Sequence, residues 1–320
     1  MSNREIRIAR EYHDQTAHSH HSVRQSGHYL DWETKPFLYK VYPDLPVIQL
    51  QREVPPPAVE TLEALSPGRQ GNAPLTLEAL SVLLFFSAGV TKKRTYPGGE
   101  EHHFRAAPST GALYQTEVYA VTGDLSGLGP GVYHFCPGDF TLRCLREGDF
   151  RQELAEAAAD EQIARVPATL VLTAIFWRNT WKYQARGYRH LFWDSGTMLA
   201  NLLVVADGLG VAARLVTGFV DARVDTLLGL PAGKEASLEL VPLGPEGEPA
   251  PSAPPVHEIA PHSLPLSKEE VDYPLLREAL SASALSDTAE VSQWRVSPAP
   301  QRPDPTGDLL ALPVPERRSG

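Results

Sequence analysis

Arg105-Ala-Ala-Pro-Ser-Thr-Gly-Ala-Leu-Tyr114 runs directly into Glu117-Val-Tyr-Ala-Val-Thr122, a β-rich segment. Its small residues (Ala106, Ala107, Ser109, Thr110, Gly111, Ala112) let backbone amides come close to a flat ligand. Arg105, with Arg94 upstream, supplies a guanidinium that can fork onto a phosphate. The segment reads either as a loop that receives an anion or as an ordinary tight turn into a strand. It has neither the Gly-x-Gly-x-x-Gly spacing of a dinucleotide fold nor the lysine of a P-loop.

Upstream, Leu77, Leu80, Leu83 and Leu84 recur at helical spacing, with Thr76 as cap and Gly89 as stop. A basic loop, Lys92-Lys-Arg-Thr-Tyr-Pro-Gly-Gly99, is expected to join that helix to the small-residue loop. Downstream come a hairpin over Gly131 to Leu145, a helix from Phe150 to Ala164, and a strand, Ala168-Thr-Leu-Val-Leu-Thr-Ala-Ile175. That strand is apolar enough to be covered on both faces. A long helix spans residues 187–209, with Gly196 inside it suggesting close packing. Ser237 to Leu243 is the last strand.

These elements divide the chain into an N-terminal arm (1–65), an α+β domain (66–245) and a Pro-rich tail (246–320). The arm begins with a helix over Arg4 to Thr16 and continues as irregular, aromatic-rich chain that needs burial. The tail contains a helix from Ser267 to Leu280, Ser267 acting as its cap; its remainder drapes over the surface or stays mobile.

A second polar cluster, Trp177-Arg-Asn-Thr-Trp-Lys-Tyr-Gln-Ala-Arg-Gly-Tyr-Arg-His190, crowds four cations at the start of the long helix. Cations there oppose the helix dipole, so the cluster is either a solvated basic loop or a place where something anionic is held. Lys182 beside Tyr183 is a plausible proton-handling pair.

Composition narrows the classes. With 42% hydrophobic and 21% charged residues over 320 positions, the chain can bury a sizeable core. A net charge of -10 argues against a nucleic-acid partner. The N-terminus carries no apolar signal-like run and no stretch is long enough to span a bilayer, so a cytoplasmic location without membrane partners is expected. Cys136 and Cys144 flank Pro-Gly-Asp and belong on the strands of one hairpin as small buried side chains. His18, His20, His21, His102 and His103 lack carboxylates or cysteines at ligand spacing, and no metal site is expected.

The ordered succession of motifs resembles the SagB-type dehydrogenases, a branch of the flavin-dependent nitroreductase family. The matching residues are Tyr12-His13, Leu30-Asp31-Trp32 with Pro36 and Lys40, Ser87-Ala-Gly-Val-Thr91, and the Arg105 to Tyr114 loop. Gly131-Val-Tyr133, Lys182-Tyr183, Arg186-Gly-Tyr-Arg189, Asn201, Leu209-Gly210, Gly218-Phe219 and Leu227-Leu-Gly-Leu230 continue the series. The resemblance implies an α+β fold with an antiparallel-rich central sheet flanked by helices, one long and central, and FMN held at a subunit interface.

It further implies dehydrogenation of a small or peptide-borne substrate, such as an azoline ring, by hydride transfer to flavin N5. Lys182 and Tyr183 then serve catalysis, and Arg105, Pro108, Ser109 and Gly111 hold the cofactor. Arg186 or Arg189 meets its phosphate, and Gly218 offers a backbone amide to the ring. The partner is an identical subunit or a second nitroreductase-like domain. A general NAD(P)H-driven nitro or quinone reductase, or a non-catalytic partner subunit, is the alternative on the same fold.

The chain departs from the pattern at Gln115-Thr116, where Pro-Leu is usual, and at Asp194-Ser195-Gly196-Thr197, where Glu-Ala-Gly-His is usual. Its tail (Glu269 to Pro274, Val291 to Trp294, Leu312 to Ser319) resembles the linker of tandem members, in which Arg-Arg-Ser opens a second flavin domain. The expectation is the first half of a two-domain arrangement, split or shortened.

Overall fold

In Thr116–Thr122, Val118 and Ala120 point to one core and Tyr119 and Val121 to another, so both faces of this strand are covered. A computed structural model describes residues 6–25, 27–52, 54–66 and 71–296. Its elements in chain order are α1 (Ile6–Thr16), α2 (His20–Gln25), β1 (Val47–Gln49), α3 (Thr61–Ala64), α4 (Leu77–Ala88), β2 (Val90–Thr95) and β3 (Glu101–Arg105). Next come β4 (Thr116–Thr122), β5 (Gly131–Cys136), β6 (Thr141–Glu147), α5 (Arg151–Ala157), β7 (Ala168–Ile175), α6 (Phe176–Tyr183) and α7 (Gly187–Gly208). The remainder are α8 (Asp221–Leu228), β8 (Glu235–Leu243), α9 (Pro274–Ser283) and α10 (Thr288–Val296).

The main sheet has the order β1-β6-β5-β4-β7-β8 and every pairing in it is antiparallel. Leu80, Leu83 and Leu84 of α4 and Leu199 and Leu202 of α7 close one face. Leu154 of α5 and Val224 and Leu227 of α8 close the other. This is the expected antiparallel α+β architecture. Helix α4 starts where Thr76 accepts a hydrogen bond from the Ala79 amide at 3.2 Å. It stops at Gly89, where a Cβ would lie 2.7 Å from the Phe85 carbonyl oxygen. No helix among the described residues is long and apolar enough to cross a membrane.

Four local expectations change. The basic stretch after α4 is not a loop: β2 and β3 pair as a separate hairpin, turning at Pro97-Gly98-Gly99. Every residue of β2 after Val90 is exposed, so no hydrophobic alternation marked it. The helix expected to reach Ala164 ends at Ala157, because Asp160 takes an extended conformation and caps a short 3-10 turn through the Gln162 amide. The tail helix begins at Pro274 rather than Ser267. The Ser267 hydroxyl instead donates to the Glu269 carbonyl and accepts from Trp177 Nε1. Finally, the draping tail carries α10, whose Trp294 packs against Gly218. The Leu312 to Ser319 motif lies outside the described residues.

The arm packs on the domain as expected, but burial of its aromatics is incomplete: Tyr42 is buried, whereas Tyr29, Trp32 and Phe37 stay exposed. Trp181 Nε1 donates to the Asp31 carbonyl at 2.9 Å, Arg178 Nε donates to the Phe37 carbonyl at 3.1 Å, and the Phe37 amide donates to the Leu266 carbonyl at 2.7 Å. Arm, helix α6 and tail thus form one wall.

Candidate functional site

The small-residue loop is bolted to the central helix. Asp194 of α7 accepts from Ser109 Oγ (2.7 Å), the Thr110 amide (2.7 Å), Thr110 Oγ1 (2.6 Å) and Gln115 Nε2 (2.6 Å). One turn on, Thr197 Oγ1 donates to the Pro108 carbonyl at 2.9 Å. The donors that an incoming anion would use are therefore taken by an internal carboxylate. The loop is an anion loop whose anion is Asp194. The two departures noted in the sequence, at Gln115 and at Asp194 to Thr197, are the two halves of this clamp.

The clamp holds an unusual backbone. Gly111, Ala112 and Tyr114 all have positive φ (68°, 55° and 49°), a conformation that costs a non-glycine residue about 1–2 kcal/mol. A Cβ on Gly111 would lie 2.9 Å from the Tyr183 hydroxyl and 3.3 Å from Lys182 Cδ. The structure thus brings Gly111, Lys182 and Tyr183 together. His190, one turn into α7, meets Tyr183 edge-to-face with ring centroids 4.5 Å apart and donates from Nδ1 to Asn179 Oδ1 at 2.9 Å. Burial pushes the His190 imidazole down to about 4, so it is neutral at pH 7.

Beneath the loop lies a buried ionic layer. Arg178 pairs with Glu117 and donates to the Tyr114 carbonyl, and His134 Nε2 donates to Glu117 at 2.7 Å. Burial alone would raise the Glu117 carboxyl; the Arg178 and His134 partners bring it down to about 2. Lys40 reaches in from the arm to Glu235 (2.5 Å) and Tyr119 (2.8 Å). Burial works against the Lys40 ammonium, but Glu235 reverses the balance and raises it. Arm, loop and sheet are fixed together by these charges.

Around Gly111 and Lys182 opens a cleft of about 550 Å³, within the range of small-molecule sites. Trp32, Phe37 and Tyr39 of the arm, Glu101 and His103 of β3, and Trp181 of α6 line it. Trp32 and Trp181 meet edge-to-face at 5.4 Å. Lys182 has no carboxylate or hydrogen-bond partner among the described residues; its ammonium lies 5.5 Å from the Tyr183 ring centre. Lys35, over Trp32, likewise lacks a carboxylate partner there. Aromatic walls, a glycine where no side chain fits, and two unpaired cations suit a flat anionic cofactor.

The remaining expected site residues lie elsewhere. Arg105 is buried, donates to the Leu38 carbonyl at 2.6 Å and stacks on Tyr114, so it anchors the arm. Arg186 and Arg189 donate to the Thr16 carbonyl (2.5 Å) and the His13 carbonyl (3.4 Å) at the C-terminal end of α1. The negative partner of that basic cluster is a helix end. Gly218 lies under Trp294, beside Val216 and Phe219 of the opposite core. Among the described residues, no group of three or more His, Cys, Asp or Glu could hold a metal ion. Sequence reasoning missed Arg178, Tyr39 and His103; Lys40 was noted only as a matching residue. The signal for Tyr39 and Lys40 was an aperiodic arm rich in aromatics and lysine, whereas Arg178 stood in the basic cluster and His103 in the histidine set without a role at the site.

The profile of the nitroreductase family matches residues 71–244, the segment that contains the loop, α6, α7 and all but one strand of the main sheet. A protein named for the nitroreductases, MJ1384 of Methanocaldococcus jannaschii, is 33% identical over 174 residues, 54% of this chain and 82% of its own. The microcin B17-processing protein McbC of Escherichia coli is 30% identical over 134 residues, 39% of this chain and 48% of McbC. The trifolitoxin-processing protein TfxB of Rhizobium leguminosarum bv. trifolii is 26% identical over 162 residues, 49% of this chain and 43% of TfxB. A crystal structure described as a nitroreductase, from Anabaena variabilis, superposes with a TM-score of 0.67 at 27% identity, over 88% of this chain and 55% of that one. The match thus spans about half of the two processing proteins and of the Anabaena chain. With more than half its length inside the family profile and its antiparallel sheet and central helix matching, the chain belongs to the nitroreductase family of oxidoreductases.

Proposed function

We propose that the chain is an FMN-dependent oxidoreductase of the SagB type that dehydrogenates azoline rings in a modified peptide. The observation that carries this reading is Lys182: an ammonium without an ionic partner, held against Gly111 in a cleft walled by Trp32, Tyr39 and Trp181. The similarity to proteins named for microcin B17 and trifolitoxin processing supports a peptide substrate.

In this reading Gly111, Lys182 and Lys35 would hold the flavin, the bare Gly111 backbone leaving room for its ring and the lysines supplying charge for its phosphate. When bound, FMN accepts a hydride. The protein supplies the other half of the reaction. Dehydrogenation of an azoline also releases a proton, and Lys182, held over the Tyr183 ring, is the group placed to take it. The arm keeps water from the reacting carbon. Ser109, Pro108 and Asp194 act through the loop, by holding Gly111 in place.

A second nitroreductase-like subunit or domain packs on the outer face of α7. Trp193 is 54% exposed there beside exposed Phe192, and the space above Gly196 is open, with nothing within 4 Å of an added Cβ. The close packing expected at Gly196 is not found among the described residues, and this open face is where the proposed partner would sit.

Turnover of a thiazoline-containing peptide by flavin-loaded protein, followed by the 2 Da mass loss of ring oxidation, tests the substrate. Lys182→Ala is expected to lower that rate by about 10²-fold or more. Normal azoline oxidation by the variant would remove Lys182 from the chemistry. Rapid NAD(P)H-driven quinone reduction with no azoline oxidation would favour the general reductase.

A further inference from the structure

Tyr39, His103 and Glu101 converge on the same cleft from two elements, the arm and β3. Tyr39 Oη and His103 Nδ1 are 2.5 Å apart. His103 Nε2 stands 3.3 Å from Glu101 Oε2, an ion-pair distance that lacks hydrogen-bond alignment. The other Glu101 oxygen is 3.8 Å from Lys93 Nζ. Arg105 lies 5.4 Å from the Tyr39 ring centre, and Lys35, Glu100, His102 and Lys182 complete the charged groups of the cleft. A phenol bonded to an imidazole that is itself beside a carboxylate is an acid–base chain. Glu101 is half exposed, and both contacts lie at the cleft wall rather than in the core.

We propose that Tyr39, His103 and Glu101 form a proton relay in which Tyr39 donates to a heteroatom lone pair of the substrate, such as a ring nitrogen or a quinone oxygen. The inference rests on the oxidoreductase reading of this cleft. The Tyr39 O–H bond breaks as the heteroatom–H bond forms. The His103 imidazolium returns a proton to Tyr39 from Nδ1, and Glu101 stabilises the charged ring beside Nε2. The imidazole, partly exposed, is recharged from solvent. No electrons move in the relay. For an azoline, protonating the ring nitrogen makes the adjacent C–H more acidic toward Lys182. As the ring becomes aromatic, the nitrogen becomes less basic and gives up its proton to Tyr39 while the Tyr39 proton moves on to His103 Nδ1, and His103 releases the excess proton to solvent. Two proton-handling groups thus serve one cleft, Lys182 for carbon and Tyr39 for the heteroatom. Burial, the main influence on the Tyr39 phenol, raises its pKa, which keeps it a protonated donor at neutral pH.

Two measurements test the relay, the first of them without the cofactor. In protein without added flavin, the ¹³Cζ resonance of labelled Tyr39, assigned by its loss in Tyr39→Phe, is expected to shift in His103→Asn. An unchanged resonance overturns the relay whether or not the protein proves to be a flavoenzyme. In flavin-loaded protein supplied with NADH and menadione, Tyr39→Phe is expected to lower turnover by about 10²-fold. His103→Asn is expected to remove one ionisation from the pH–rate profile, and His103→Gln to behave like it. Turnover of Tyr39→Phe within twofold of wild type, with the wild-type pH profile, overturns the proposal. Loss of the ¹³Cζ response counts against the relay alone, whereas failure of wild-type protein to bind flavin counts against the function on which it rests.

Discussion

Replacing Asp194 with alanine removes the acceptor of four hydrogen bonds at once, although the Ser109 hydroxyl keeps Gln115 Oε1 and Gln115 Nε2 keeps the His190 carbonyl as partners. Gln115 is fully buried, so water cannot replace the carboxylate for its Nε2, and that loss costs about 2 kcal/mol. Ser109 and Thr110 are half-buried; water reaches them, and each of their three bonds to Asp194 is worth about 0.5–1 kcal/mol net. Together the substitution is expected to destabilise the protein by about 4 kcal/mol, a large share of the roughly 5–15 kcal/mol that holds a domain together. Asp194→Asn, which keeps the shape and one acceptor, is expected to lose about half of that. Urea unfolding at neutral pH gives the totals. A double-mutant cycle with Gln115→Leu isolates the buried bond, with a coupling of about 1–3 kcal/mol. The same variants should speed hydrogen exchange at the Thr110 amide, because its acceptor is gone. If Asp194→Ala unfolds within about 0.5 kcal/mol of wild type, with the Thr110 amide as protected as before, the loop is held by something other than this clamp.

Other outcomes follow from the same geometry. Gly111→Ala must adopt φ near 68° with its methyl against the Tyr183 hydroxyl; a loss of about 1–3 kcal/mol in thermal unfolding is expected, with Tyr183 displaced. Glu117 has a depressed folded-state pKa, so its stabilisation is complete above its ordinary value of 4.5 and is lost as pH falls through about 2. The shift corresponds to about 3 kcal/mol. Unfolding measured from pH 6 downward should show that slope, and Glu117→Gln should flatten it. Glu239 has the opposite sign: burial raises it to about 7, with Ser195 Oγ donating to Oε1 at 2.8 Å. It holds its proton in the folded state, and stability falls as pH rises from 4.5 through about 7. At pH 8, Glu239→Gln should be more stable than wild type by about 2–3 kcal/mol, an advantage that vanishes below about pH 4.5.

What the chain disclosed before folding follows from the range of the forces involved. The apolar run at Ala168 to Ile175 and the helical spacing of Leu191, Ser195, Met198, Leu199, Leu202 and Ala206 are short-period patterns, and both elements fall where those patterns place them. The Thr76 cap and the Gly89 stop are likewise local. The β2–β3 hairpin escaped because both faces of β2 are wet and no period betrays it. The tail helix was set too early because Ser267 followed by Glu269 and Glu270 resembles a cap, whereas the fixed φ of Pro274 sets the start. At the site, Gly111 and the Lys182-Tyr183 pair were recognisable as motifs. Their partners were not, since Asp194 is 84 positions from Thr110 and His103 is 64 from Tyr39. The basic cluster at Arg186 and Arg189 was read as a solvated loop or as the holder of something anionic, and in the fold both arginines meet backbone carbonyls instead. Those carbonyls belong to the C-terminal end of α1, about 170 residues away, which local spacing cannot reveal.

The account stands on the cleft between Trp32, Trp181, Gly111 and Lys182 being a flavin site. Titration of the purified chain with FMN, followed by tryptophan fluorescence, tests this directly. Saturable 1:1 quenching is predicted, weakened about tenfold or more in Lys182→Ala by loss of one cation and unaffected by Trp294→Phe, which lies on the opposite core. Absence of saturable quenching, or quenching lost in Trp294→Phe and retained in a Trp32→Phe, Trp181→Phe double variant, would contradict it.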